Sequence, residues 1–282
     1  MRRGVRRFRV AEQLLASILL ALSSSRAAAG AWTLPAGDTQ IISGVIYSSA
    51  AESFDGSGGT VPTYYRKLLL QSYGEHGLTD DLTLVLAPEY AIADEAAPNG
   101  KVIHADDFAL LGGVRYRLTD AFGILSVQGS YKTAGAFDMS VSANQDSGSE
   151  IELRLLYGAN FKLFGRDGYF DAEIAERWIE GARPNETPID LTLGLHWSEK
   201  LTFMAQSFNI IAGGDSKPPY TFYRSHKVEF ATLQRLWNGV YLESGAYFSP
   251  FGQNALVERG VDASIWVISR RNRAGRIRRS GA

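Results

Sequence analysis

The chain has no cysteine. That excludes disulfides, thiolate chemistry and cysteine-ligated metals. It also lacks a basic surplus. Lys and Arg number 29 against 30 Asp and Glu, a formal net charge of −1. Nucleic-acid binders usually carry a clustered basic excess, so no nucleic-acid partner is expected. Beyond the N-terminus there is no apolar run near the roughly 20 residues that a spanning helix needs. Catalytic signatures are missing too. There is no H-E-x-x-H and no G-x-S-x-G, and Gly56-Ser57-Gly58-Gly59 has no helix after it to cradle a phosphate. The four histidines, His76, His104, His196 and His226, show no metal-ligand spacing. His104 ahead of Asp106-Asp107 reads as a solvated loop rather than a cation site. No cofactor, no metal and no enzymatic activity are expected.

What is present begins with a leader. Residues 1–9 carry Arg2, Arg3, Arg6, Arg7 and Arg9 without an acid, an apolar core runs from Leu14 to Leu22, and small residues follow through Ala27-Ala28-Ala29-Gly30-Ala31. These are the three parts of a cleavable signal peptide. Cleavage after Ala29 or after Ala31 fits. The division is a signal peptide over 1–29, a single β domain over 30–269 and a basic tail over 270–282.

The remainder alternates with period two. In Glu150–Leu163, Ile151, Leu153, Leu155, Tyr157, Ala159, Phe161 and Leu163 share one face, while Glu152, Arg154 and Lys162 share the other. Successive strand side chains point to opposite faces, so strict alternation marks a strand. The same pattern predicts strands over 39–54, 64–77, 82–93, 108–118, 122–133, 170–178, 189–197, 201–209, 225–236, 240–248 and 261–267. Connections alternate in length. Short turns fall at 78–81, 119–121, 165–168, 199–200 and 237–239, with Asp167-Gly168 and Asn238-Gly239 as hairpin signals. Long polar loops fall near 53–62, 94–107, 134–149, 181–188, 211–224 and 250–257.

Hydrocarbon admits only helices and closed barrels. Long alternating strands, turns at one end and loops at the other, and a leader together predict an all-β fold. It is a transmembrane antiparallel up-and-down β-barrel of about 12 strands in a bacterial outer membrane, with short periplasmic turns and longer extracellular loops. Outer-membrane lipids and the barrel assembly machinery are then its expected partners. The polar faces would line the lumen: Lys67, Glu89, Arg115, Arg117, Glu152, Arg154, Lys162, Asp171, Glu173, Arg177, Asp190, His196, Lys227, Glu229, Arg235, Glu243 and Asp262. Aromatics near strand ends (Trp32, Tyr90, Phe122, Phe164, Trp178, Trp197, Phe203, Tyr223, Trp237 and Phe248) would form the interfacial girdles. The last strand keeps Trp266 in its interior and is followed by an arginine-rich tail.

Gly74-Glu75-His76-Gly77-Leu78-Thr79-Asp80-Asp81-Leu82-Thr83-Leu84 resembles a hairpin of exported barrels. These include the meta-pathway phenol-degradation family of transporters and XagA-like proteins linked to surface polysaccharide. Ala31-Trp32-Thr33-Leu34-Pro35-Ala36-Gly37 resembles the mature start of the XagA-like members. Arg115-Tyr116-Arg117-Leu118-Thr119-Asp120 repeats the hairpin motif. The resemblance implies a barrel and brings no catalytic residues. The expected function is a porin-like channel or a surface-associated transport component, for small molecules or envelope polysaccharide. The alternatives are an enzyme modifying lipid or polysaccharide, with His196 or His226 beside Ser225 as its candidates, and a purely structural barrel.

Overall fold

The computed structural model describes residues 30–96, 101–134, 148–181, 183–213 and 222–271. The expected leader over 1–29 and nearly all of the tail lie outside the described residues. The strands are β1 Thr39–Phe54, β2 Thr60–Gly77, β3 Leu82–Ala96, β4 Val102–Thr119, β5 Ile124–Lys132 and β6 Glu150–Leu163. They continue with β7 Arg166–Ile179, β8 Glu186–His196, β9 Leu201–Ala212, β10 Arg224–Trp237, β11 Val240–Gln253, β12 Ala255–Leu256 and β13 Arg259–Ser269. Each wall strand pairs antiparallel with its neighbours. The ring closes because β1 pairs with β2 on one side and with β13 on the other. Twelve strands build the wall. The two-residue β12 adds only a cap on the end of β1, pairing Ser53 with Leu256 and Phe54 with Ala255.

Closure removes the free sheet edge that would otherwise leave backbone groups unpaired. It also fixes which side each alternating face takes. Ile41, Leu70, Leu86, Phe108, Ile151, Leu153, Leu193, Phe230 and Val261 are exposed on the outer surface, while Gln40, Glu75, Arg115, Gln128, Glu152 and Asp171 are buried. A water-soluble fold places these two sets the other way round. A belt of exposed apolar side chains around a polar interior is the arrangement of a barrel whose solvent is lipid.

Connections separate by length as expected, with differences of detail. The Asp167-Gly168 pair does not make the β6–β7 turn. The turn is Phe164-Gly165, both at positive φ (51° and 74°), and Arg166 already pairs with Leu163. Gly168 is instead a strand glycine, where a Cβ would lie 2.5 Å from the Phe161 ring. Several long loops are shorter than predicted, the first because β2 already begins at Thr60. β3 and β4 run on to Ala96 and from Val102, with His104 opposite Asp94 and Nδ1 2.7 Å from its carboxylate. β11 continues to Gln253. Polar strand residues beyond the apolar belt read as loop in sequence, yet the ladder extends through them because backbone pairing does not require apolar side chains.

Candidate functional site: the lumen and its N-terminal arm

The interior is a set of ion-pair ladders. Arg115, 2 % exposed, places Nη1 2.8 Å from Glu75 Oε1 and donates through Nη2 to Tyr73 Oη (2.8 Å) and to Gln128 Oε1 (2.9 Å). These residues come from β2, β4 and β5, and cross-strand register sets them on one face. On the next strands Arg154 serves three acids: Glu152 at 2.8 Å, Glu173 at 2.5 Å and Asp190 at 2.8 Å. Toward the loop end Arg177 bonds Glu152 and Glu186 (3.0 and 2.7 Å), while Arg183 reaches Glu150 and Glu186 (3.3 and 2.9 Å). Lys132 bonds Glu89 at 2.5 Å and Lys227 bonds Glu258 at 2.6 Å. Such pairing is what allows charges to sit away from bulk water.

The other side of the wall is acidic. Glu229, Glu243 and Asp262, from β10, β11 and β13, offer carboxylate oxygens within 4.8 Å of one another. Gln206 Nε2 donates to Glu229 (2.9 Å), and Trp266 Nε1 donates to Glu243 (2.8 Å). All three acids belong to the polar faces read from sequence. Their convergence needs the registers of three strands and was invisible there.

Other predicted lining residues sit at the short-turn end. Arg117 Nε donates to Asp81 at 2.9 Å. Lys162 is exposed, 3.7 Å from Asp167. Arg235 lies two residues before the end of β10. His196 Nδ1 is 2.7 Å from Thr202 Oγ1, and its ring lies 5.9 Å from that of Tyr169. His226 stacks on Phe251 with centroids 4.2 Å apart and contacts Asn209. Ser225, adjacent along β10, points to the opposite face, so this pair cannot share a proton. Sequence reasoning passed over Glu75, Glu150, Lys132, Arg183 and Glu186. Parity with Lys67 would have found Glu75, and parity with Glu152 would have found Glu150. Arg183 and Glu186 fell in a presumed loop.

The largest departure concerns Trp32. It is not a girdle residue. Residues 30–38 turn back from β1 into the barrel and cross it. Gly37 N donates to Gly77 O (2.7 Å), Leu34 N to Thr83 Oγ1 (2.8 Å), and Arg115 Nη1 donates to Trp32 O (3.1 Å). Ser126 Oγ donates to Ala31 O (2.5 Å), and Ala31 N donates to Asp171 Oδ2 (2.8 Å). The arm therefore runs from β1 to β7, six strands round a ring of twelve, which is the opposite wall. Glycines make the room. At Gly158 a Cβ would meet the Trp32 indole at 2.6 Å, and at Gly194 it would overlap the Tyr169 ring. Trp32 stands edge-on to Tyr169 at 6.1 Å, beside Met204, Ala231 and Leu233. Tyr223 also leaves the girdle set: it is fully buried and donates through Oη to Glu186. Phe122, Phe164, Trp178, Trp197, Phe203, Trp237 and Phe248 are exposed on the outer surface.

No family model and no curated protein matches the chain. Among solved structures, an outer membrane channel from Pseudomonas putida F1 aligns at 13% identity over 87% of this chain and 100% of that one, with a TM-score of 0.67. The translocator domain of the autotransporter NalP from Neisseria meningitidis aligns at 13% identity over 93% and 97%, with a TM-score of 0.53. The beta domain of the Bordetella autotransporter BrkA aligns at 12% over 82% and 99%, with a TM-score of 0.51. At these identities the likeness is one of fold, the closed antiparallel barrel of outer-membrane proteins.

Proposed function

We propose that this protein is an exported outer-membrane channel for small polar solutes, with its N-terminal arm lying across the conducting path. The observation that carries the reading is the inverted polarity of the closed barrel. Apolar side chains ring the outside, and paired charges fill a lumen that no solvent-facing fold would enclose. The likeness to the Pseudomonas putida channel supports it. The resemblance of the hairpin motif to the meta-pathway transporter family and XagA-like proteins agrees with a transport role and selects no substrate. Insertion by the barrel assembly machinery and contact with outer-membrane lipids belong to the same proposal. The enzymatic alternative draws no support from His226, because Ser225 beside it faces the other side of β10.

Fractionation followed by gels of unboiled and boiled samples tests the placement. A heat-dependent mobility shift in the outer-membrane fraction is expected, and a soluble protein without a shift overturns it. Planar-bilayer recording tests the channel: discrete conductance steps are expected, and a silent, folded barrel refutes transport. The lumen makes a sharper prediction. Arg154→Gln leaves Glu152, Glu173 and Asp190 without their shared guanidinium. The reversal potential in a salt gradient should move toward the cation potential, since fixed charge in a narrow pore sets selectivity.

A further inference from the structure

The arm ends against one carboxylate. Asp171 is 3 % exposed; it shares a hydrogen bond with Glu173 and lies within the field of Arg115, but no described cation is in salt-bridge contact with it. Glu173, two residues along the same face, commits its charge to Arg154 at 2.5 Å. Asp171 also accepts from the backbone N–H of Ala31, which has no exposed surface. Gly30 is buried beside it at φ +145, and a Cβ on Gly30 would overlap the Asp171 carboxyl. Only glycine fits, and the chain there is pressed directly onto the acid. A carboxylate this far from water is costly without a positive partner.

The leader read from sequence has two candidate cleavage positions, and the lumen distinguishes them. Cleavage after Ala31 would discard the residue that bonds both Asp171 and Ser126. Cleavage after Ala29 keeps it and makes Gly30 the first residue. Its new α-ammonium is then one bond from the Cα on which any added Cβ would overlap the Asp171 carboxyl. We propose that the chain is cut after Ala29 and that the Gly30 α-ammonium docks in the lumen as the counter-ion of Asp171. Leader removal thereby creates the charge that fastens the arm across the barrel. The inference rests on the leader and on the arm's geometry. It does not require that the barrel conduct.

The test starts with N-terminal sequencing and intact mass of protein purified from outer membranes. A start at Gly30 is expected; a start at Trp32, or an uncut chain, overturns the proposal. The purified folded barrel is then treated in detergent with 2-pyridinecarboxaldehyde, a reagent selective for α-amines. In wild type the folded protein should label several-fold more slowly than the urea-unfolded protein. Equal rates in the two states overturn the docking, and this comparison needs no variant. In heat-modifiable Asp171→Asn, the folded-state rate should rise toward the unfolded rate. Protection unchanged in that variant refutes Asp171 as the counter-ion. None of these readouts uses conductance, so failure of the channel reading and failure of this one are separable.

Discussion

Arg115→Leu will lower the stability of the folded barrel by about 3–5 kcal/mol, read as a smaller midpoint in denaturant at unchanged slope. The guanidinium is 2 % exposed, and Glu75, its 2.8 Å partner, is equally buried. Removing the cation leaves a carboxylate inside the wall with no neutralising group, and the orphaned charge accounts for most of the loss. The double variant Arg115→Leu/Glu75→Leu should recover much of it, because two apolar side chains of similar bulk leave no unpaired charge. A single variant as stable as wild type would mean that water reaches Glu75 freely. A double variant no better than the single would shift the cost to Tyr73 and Gln128, whose bonds to Arg115 are lost in both.

Trp32→Ala will raise single-channel conductance several-fold, and deletion of residues 31–36 will raise it further. The indole fills the space over Gly158 and leans on Tyr169, so its loss opens the interior where the arm crosses. The arm is tied by hydrogen bonds from or to Thr83, Arg115, Ser126 and Asp171. Trp32→Ala keeps those ties and isolates the effect of bulk, whereas the deletion removes both. Heat-modifiable variants with wild-type conductance would show that the restriction lies elsewhere, with the ion-pair ladders of β6, β7 and β8 as the next place to look. A twelve-stranded barrel is narrow enough for side chains and one peptide segment to govern passage.

Wall and interior were not equally legible in the amino-acid order. Alternation with period two is local, so strands such as Glu150–Leu163 could be read residue by residue. Their number, length and alternating connections then required closure. Partners on one strand face also followed from parity, which is why Arg154 and Glu152 were found together. Phe164-Gly165 shows the limit of local reading. Asp167-Gly168 is the better hairpin dipeptide, yet the ladder places the turn three residues earlier, and Gly168 within β7 leaves space for Phe161.

By itself, then, the sequence determined the class of fold and which face of each strand is polar, because both depend on neighbours two residues apart. Only the tertiary structure decided which face is enclosed, which charges meet and where residues 30–38 go. Glu229, Glu243 and Asp262 converge because three strands lie in a particular register. Trp32 looked like an interfacial anchor because an aromatic before a first strand suits that role. It is a lumen residue because a closed wall brings Asp171, 140 positions further along, within 2.8 Å of Ala31. Contacts across that distance are set by closure of the ring, and no local pattern encodes them.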